Sequence, residues 1–263
     1  MAKRHEIIGI KQPVRREWMQ QAANSLLAGL DPIIIRKELH GFIADQNRNG
    51  SKSKISDGNR AFTVNNLMRI WVTPDDELTR FRDAALKYLH ENSAMETAVH
   101  WAMISAAYPF WFNVAFQTGR LLNLQHQITR PQIISRLKER YGDRETLTRY
   151  ARHVIRSFVS WGALKDTGTK GCYVKSTPLA ISDKDMAVIL LESALHASPS
   201  GKAALNILLT NPAFFPFQLP TIPGDFIAQN SERIDVDRYS LDDEILRLKE
   251  NRNQLNIFKE NPL

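Results

Sequence analysis

The 263-residue chain carries 35 Lys and Arg against 28 Asp and Glu, a formal net charge of +7, and 43% of its residues are hydrophobic. That balance excludes global disorder and suits one large or two small domains with real cores, while the basic excess points to an acidic partner such as a phosphate backbone or an anionic membrane surface. The single cysteine, Cys172, excludes an intramolecular disulfide framework and any multi-cysteine zinc site, so a reducing, cytoplasmic setting is expected.

The opening MAKRHEIIGIKQPVRREW is basic but lacks the apolar run and small-residue cleavage site of a signal peptide. From Pro13 onward, two helices are predicted, broken at Gly29 to Pro32. Trp18, Ala22, Leu26 and Leu27 recur at helical spacing in the first, and Ile34, Ile35, Leu39, Phe42 and Ile43 in the second. Asp31 before Pro32 is a helix-start signal. The pair has the spacing of a helix-turn-helix and equally that of a structural hairpin. Residues 47–60, NRNGSKSKISDGNR, form a polar loop carrying Arg48, Lys52, Lys54 and Arg60 against Asp57, either a linker or a basic arm. Thr63 is placed to cap a short helix through Ile70 that exposes Asn65, Asn66 and Arg69. Thr73 and Pro74 then open another, with Leu78, Phe81, Ala85, Leu86 and Leu89 on one face. Residues 13–90 read as an N-terminal helix-turn-helix domain.

Residues 93–124 are aromatic and apolar. Their greasiest stretch, AVHWAMISAAYPFWFNVAF, contains His100, Ser105, Pro109 and Asn113, and its uninterrupted part falls short of the roughly 20 residues of a spanning helix. It is read as core helices meeting at a proline, with Trp101, Trp111 and their neighbours as packing groups.

Thr129, Arg130 and Pro131 open a helix with Ile133, Ile134 and Leu137 inward, ending at Gly142. After a short turn a second helix has Leu147, Tyr150, Ala151, Val154, Ile155, Phe158 and Val159 on its apolar stripe. Thr146, Thr148, Arg149, Arg152, His153 and Arg156 remain outside. Gly162 ends it, and a ribbon runs from Ala163 and Leu164 back through Cys172, Tyr173 and Val174, with Gly168 and Gly171 around Lys170 at its tip. From Arg130 to Lys175 eleven basic side chains stand against four acidic ones, a surplus of seven that equals the net charge of the whole chain. The pattern predicts a winged helix-turn-helix whose outer helix face enters a major groove and whose wing lies along a phosphate backbone. Arg130, Arg144, Lys165, Lys170 and Lys175 join the candidate contacts. Such units also serve as protein-docking modules, and a basic face can be merely solvated.

Beyond the wing, Ser182 starts a capped helix and Ser200 another through Leu209. NPAFFPFQLPTIPGDF places Phe214, Phe215 and Phe217 along the core in irregular conformation, 239–249 reads as helical, and the last dozen residues as frayed. The expected fold is therefore all-α. An N-terminal helix-turn-helix (13–90) precedes aromatic helices with a winged helix-turn-helix and small β-wing (93–181), then a helical, Pro-rich extension (182–263).

The chain has no glycine-rich phosphate loop, dinucleotide fingerprint or nucleophile elbow, and its seven histidines show no metal-ligand spacing. Asp83, Glu91, Glu96 and Asp185 are dispersed carboxylates whose spacing favours no nuclease site. The order of parts, with LLAGLDPIIIRKEL, AVHWAMISAAYPFWFNVAF and FVSWGALKDT, resembles the BrxA family of bacterial BREX phage-defence systems over roughly residues 15–178. The tail beyond Ser182 and the insertion at 47–60 depart from that pattern. The resemblance implies a non-enzymatic, helical protein that binds double-stranded DNA beside larger defence components. The expected partners are duplex DNA and proteins of such an assembly, with no membrane, cofactor or metal. A protein–protein adaptor that docks through the winged helix and the C-terminal tail, and a stand-alone winged-helix transcriptional regulator, remain as alternatives.

Overall fold

The computed structural model describes residues 2–46, 54–239 and 244–249. A short helix, α1 (Ala2–Glu6), precedes α2 (Arg16–Leu27) and α3 (Pro32–Ala44). The break between the latter two follows local chemistry. Gly29 adopts φ +72°, its amide and that of Leu30 donate back to Leu26 and Ser25, and the Asp31 carboxylate accepts from the Ile33 amide at 2.7 Å. Trp18, Ala22, Ile35, Leu39 and Ile43 are buried, but Leu27 and Ile34 are exposed.

The next helix, α4 (Asp57–Leu67), starts a turn and a half before the predicted cap. Thr63 lies inside it and bonds back to the Asn59 carbonyl at 3.0 Å. A π-helical turn, Met68–Val72, continues it, and Thr73 ends that turn instead of opening the next helix. Arg82 donates to the Trp71 and Val72 carbonyls at 3.0 and 3.3 Å, supplying partners that an interrupted helix end leaves without intrahelical donors. A 3-10 turn, Asp76–Leu78, leads into α5 (Thr79–Glu91), followed by α6 (Glu96–Ala107) and α7 (Pro109–Leu124), which meet at Tyr108 and Pro109 as predicted. Among the described residues no helix is long and apolar enough to cross a membrane.

Strand β1 (Gln127–Thr129), helices α8 (Arg130–Tyr141) and α9 (Glu145–Ser160), and strands β2 (Leu164–Asp166) and β3 (Cys172–Lys175) come next. β3 is central and antiparallel to both neighbours, with Thr129 opposite Cys172 and Leu164 opposite Lys175. Three residues are too few to display alternation, so β1 has no sequence signal; its pairing with β3 creates it.

The remainder comprises β4 (Leu179–Ala180), α10 (Lys184–Ala197), β5 (Lys202–Ala204), α11 (Leu205–Leu209), a 3-10 turn at Pro212–Phe214, β6 (Phe217–Gln218), α12 (Gly224–Asn230), β7 (Ile234–Arg238) and β8 (Glu244–Leu248). β4 pairs in parallel with β6, and β8 lies between β5 and β7. Three expectations for this region are corrected. Asp183, not Ser182, caps α10, accepting from the Asp185 amide at 2.8 Å. The helix expected from Ser200 is preceded by β5. The 239–249 segment, as far as it is described, is a strand: period-2 burial puts Leu246 inside, and Arg247 on the other face meets Asp235 and Asp237 of β7 at 3.4 Å. The terminal dozen residues lie outside the described ones. The chain is mostly helical, with three small sheets in place of one wing.

The buried hydrophobic side chains form one continuous cluster from Ile10 to Leu246. At its centre Trp101 of α6 lies 5.0–6.1 Å, centroid to centroid, from Trp111, Phe158, Trp161, Phe215 and Phe217, so α6, α7, α9 and the segment after α11 share one aromatic nucleus. Gly119 lets α7 approach the Pro212 backbone, since a Cβ there would stand 1.9 Å from the Pro212 carbonyl oxygen.

His100, also on α6, is wholly enclosed. Its ring is edge-on to Trp71, its Nε2 lies 2.9 Å from Gln20 Oε1, and its Nδ1 has no hydrogen-bond partner among the described residues. Burial, helped by the Arg16 charge, pushes its pKa down to about 3. Below its ordinary value of about 6.5 the unfolded chain takes up a proton that the folded one refuses, so stability is fullest above that pH and declines toward pH 3. This site should lower the unfolding free energy by about 3 kcal/mol between pH 7 and pH 4. Urea melts of the wild type and His100→Gln across that range check it, and equal acid slopes for the two would refute it.

Candidate nucleic-acid interface

The region 127–175 is organised by caps. Thr129 and Gln132 cap α8 reciprocally, the Thr129 amide donating to Gln132 Oε1 at 2.8 Å and Thr129 Oγ1 accepting from the Gln132 amide at 3.4 Å. Gly142, at φ +75°, turns the chain toward α9. There Leu147, Ala151, Val154, Ile155 and Phe158 are buried, while Thr146, Thr148, Arg149 and Arg152 are exposed as predicted. Gly162, also at φ +75°, completes a C-cap in which Ala163 donates to the Phe158 carbonyl and Gly162 to that of Val159.

The ribbon between β2 and β3 folds back over the start of α8, where the Arg130 amide donates to the Gly171 carbonyl at 2.9 Å. A groove of about 500 Å³ results between α9, the first turn of α8 and the ribbon tip, with Arg130, Arg152, Arg156, Thr169, Lys170 and Tyr173 in its lining. Arg130, Arg152 and Lys170 form no ion pair among the described residues. Arg156 differs: Asp166 of β2 holds it at 3.0 Å. That contact spans partly exposed side chains, so its net worth is at most about 1 kcal/mol and a phosphate can compete for the guanidinium.

His153 is half-buried, and burial together with Arg152 and Arg149 lowers its pKa to about 4. It is therefore neutral at pH 7 and offers a hydrogen bond, not charge. Arg149 lies beside the Tyr150 ring at 5.3 Å and outside the groove, as do the exposed Lys165 and Lys175 on the sheet. Arg144, at the N-terminus of α9, opens onto another cleft.

The N-terminal candidates do not assemble in this way. Arg48 and Lys52 lie outside the described residues. Lys54 and Arg60 sit by Asp45 and Asp57 at 3.8 and 2.6 Å, and Asn65 is exposed and accepts from Arg36. Two were expected on the surface and are not free there. Asn66 is buried and accepts from the Tyr108 hydroxyl, which would otherwise lose its polar partner on burial, and Arg69 is half-buried, paired with Asp75 at 2.9 Å and set against the Tyr108 ring.

No protein-family model, curated protein or solved structure matches the chain. Among the described residues no group of three or more His, Cys, Asp or Glu side chains is disposed to hold a metal ion. Thr167, Thr169 and Tyr173 line the groove without being among the predicted contacts. Their placement depends on the β1–β3 pairing, which no local pattern announces.

Proposed function

We propose that residues 127–175 act as a winged helix-turn-helix that binds double-stranded DNA, with α9 in the major groove and the ribbon tip along a phosphate backbone. The carrying observation is the meeting of three cations, Arg130, Arg152 and Lys170, in the groove between α9 and the ribbon, none of them with a carboxylate partner among the described residues. The order strand, helix, helix, strand, strand, with β3 between β1 and β2, suits that reading. Thr146, Thr148 and Arg149 on the outer face of α9 supply groups for base edges, and the Lys at the tip supplies charge alone. On this reading the protein is a non-catalytic component of a prokaryotic phage-defence or DNA-processing assembly, a setting that rests on the resemblance to the BrxA family.

Titrating a fluorescent duplex from about 50 to 200 mM salt tests it. Three phosphate contacts from the groove predict a log–log slope of about −2.7 or steeper. Absence of binding at the lowest salt would leave the adaptor reading, in which the winged unit and the C-terminal tail dock onto other proteins.

A further inference from the structure

Away from the groove, a second and larger cleft of about 1190 Å³ is bounded by α1, α5, the α8–α9 turn, the end of α10 and the edge of β8. Its basic side chains fall into two sets. Arg4 meets Glu77 at 2.8 Å, Arg233 holds Glu192 through Nε and Nη2 at 2.8 and 2.9 Å, Arg247 meets Asp235 and Asp237, and Lys249 meets Asp235 at 3.6 Å. These charges are matched inside the protein. Arg80 of α5, Arg140 of α8 and Arg144 before α9 are exposed and have no carboxylate partner among the described residues. They come from three different elements and line the same cleft.

Two lining carboxylates, Glu77 and Glu192, are already paired with arginines, so exposed Glu6 of α1 offsets one of the three free charges and leaves the cleft cationic. Glu192 is fully buried; burial pushes its carboxyl up, but the neighbouring His196 and the bidentate Arg233 outweigh that and hold it below the usual range. The carboxylate is thus ionised, and the Arg233 charge cancels it. Tyr141 and Leu248, both partly exposed, supply apolar wall next to the arginines, while Phe81 and Leu195 are buried.

Planar guanidinium forks match phosphate oxygens two at a time, and three of them suit a ligand with more than one phosphate. The volume is at or above the upper end of ordinary small-molecule sites, about 300–1000 Å³, far more than inorganic phosphate needs. Aromatic and aliphatic wall beside the cations suits a base. We propose that this cleft binds a nucleoside polyphosphate, its phosphates on Arg80, Arg140 and Arg144 and its base on the wall formed by Tyr141 and Leu248. The sequence predicts no small-molecule ligand because the recognisable phosphate motifs are glycine-rich loops, whereas here arginines distant in the chain take that role.

Calorimetric titration of the full chain with ATP, GTP and inorganic tripolyphosphate tests the assignment. ATP or GTP should bind at least about tenfold more tightly than tripolyphosphate, the base supplying the difference. Arg80→Ala and Arg140→Ala should each weaken nucleotide binding about tenfold, and Arg140→Glu more. Neither side chain holds an ion pair among the described residues, so thermal melts should be unchanged for Arg80→Ala, whereas Arg140→Ala also loses the packing of its guanidinium against the Tyr141 ring, 5.8 Å away, and should melt slightly lower; duplex affinity should be unchanged because neither residue lines the α9–ribbon groove. Four results would overturn the proposal: no nucleotide binding, equal affinity for tripolyphosphate, full binding by the Arg80→Ala/Arg140→Ala variant, or displacement of nucleotide by saturating duplex. The last would make the cleft a nucleic-acid surface.

Discussion

Replacing Arg130, Arg152 and Lys170 together with alanine is expected to weaken binding of a short duplex about a hundredfold near 100 mM salt and to reduce the magnitude of the salt slope by about three. The three cations line one groove and have no carboxylate partner among the described residues, so each is available to displace a counterion from the backbone. Arg156→Ala should cost less than any of them, because in the free protein its charge is already met by Asp166. Asp166→Ala should strengthen binding severalfold by releasing Arg156, a change opposite in sign to the triple variant. Fluorescence anisotropy across a salt series measures all of these. An unchanged affinity and slope in the triple variant would remove this groove from the DNA-binding surface.

Trp101→Ala is expected to destabilise the protein by about 4 kcal/mol, read as a lower urea midpoint. Trp101 touches five aromatic rings from three other parts of the chain, so its loss opens a cavity that no single element can collapse to fill. Trp101→Phe should cost about half as much, because the indole N–H has no hydrogen-bond partner among the described residues and its removal leaves nothing newly unpaired. Since Phe158 and Trp161 brace α9 from this nucleus, the alanine variant should also lose duplex affinity. Stability equal to wild type would show that the aromatic nucleus is dispensable, contrary to its full burial.

The groove was partly legible in advance for identifiable reasons. Leu147, Ala151, Val154, Ile155 and Phe158 recur on one face of α9, which leaves Thr146, Thr148, Arg149 and Arg152 outside as a matter of helical geometry. Gly162 closes that helix because its positive φ is open to glycine at little steric cost. The failures have physical causes too. Asn66 carries no local sign of burial; the distant Tyr108 hydroxyl draws it inward. Residues 244–248 fit a helical wheel and a strand equally on local pattern, and pairing with β5 and β7 decides for the strand.

Helix periodicity, capping and the basic surplus between Arg130 and Lys175 are properties of neighbouring residues, which is why they can be read from the chain. Whether a given charge is available is a property of distance. Arg69 and Arg156 resemble Arg130 and Arg152 in sequence, yet Asp75 and Asp166 stand within hydrogen-bonding reach of the first two, and among the described residues no carboxylate pairs with the second two. The same holds for the arginine cleft, whose walls extend from Arg4 to Lys249 and exist only because α1, α5, α8, α10 and β8 converge. Coulomb energy and hydrogen bonding fall away over a few ångströms, so segments far apart in the chain acquire or lose function only when the tertiary fold sets their separation.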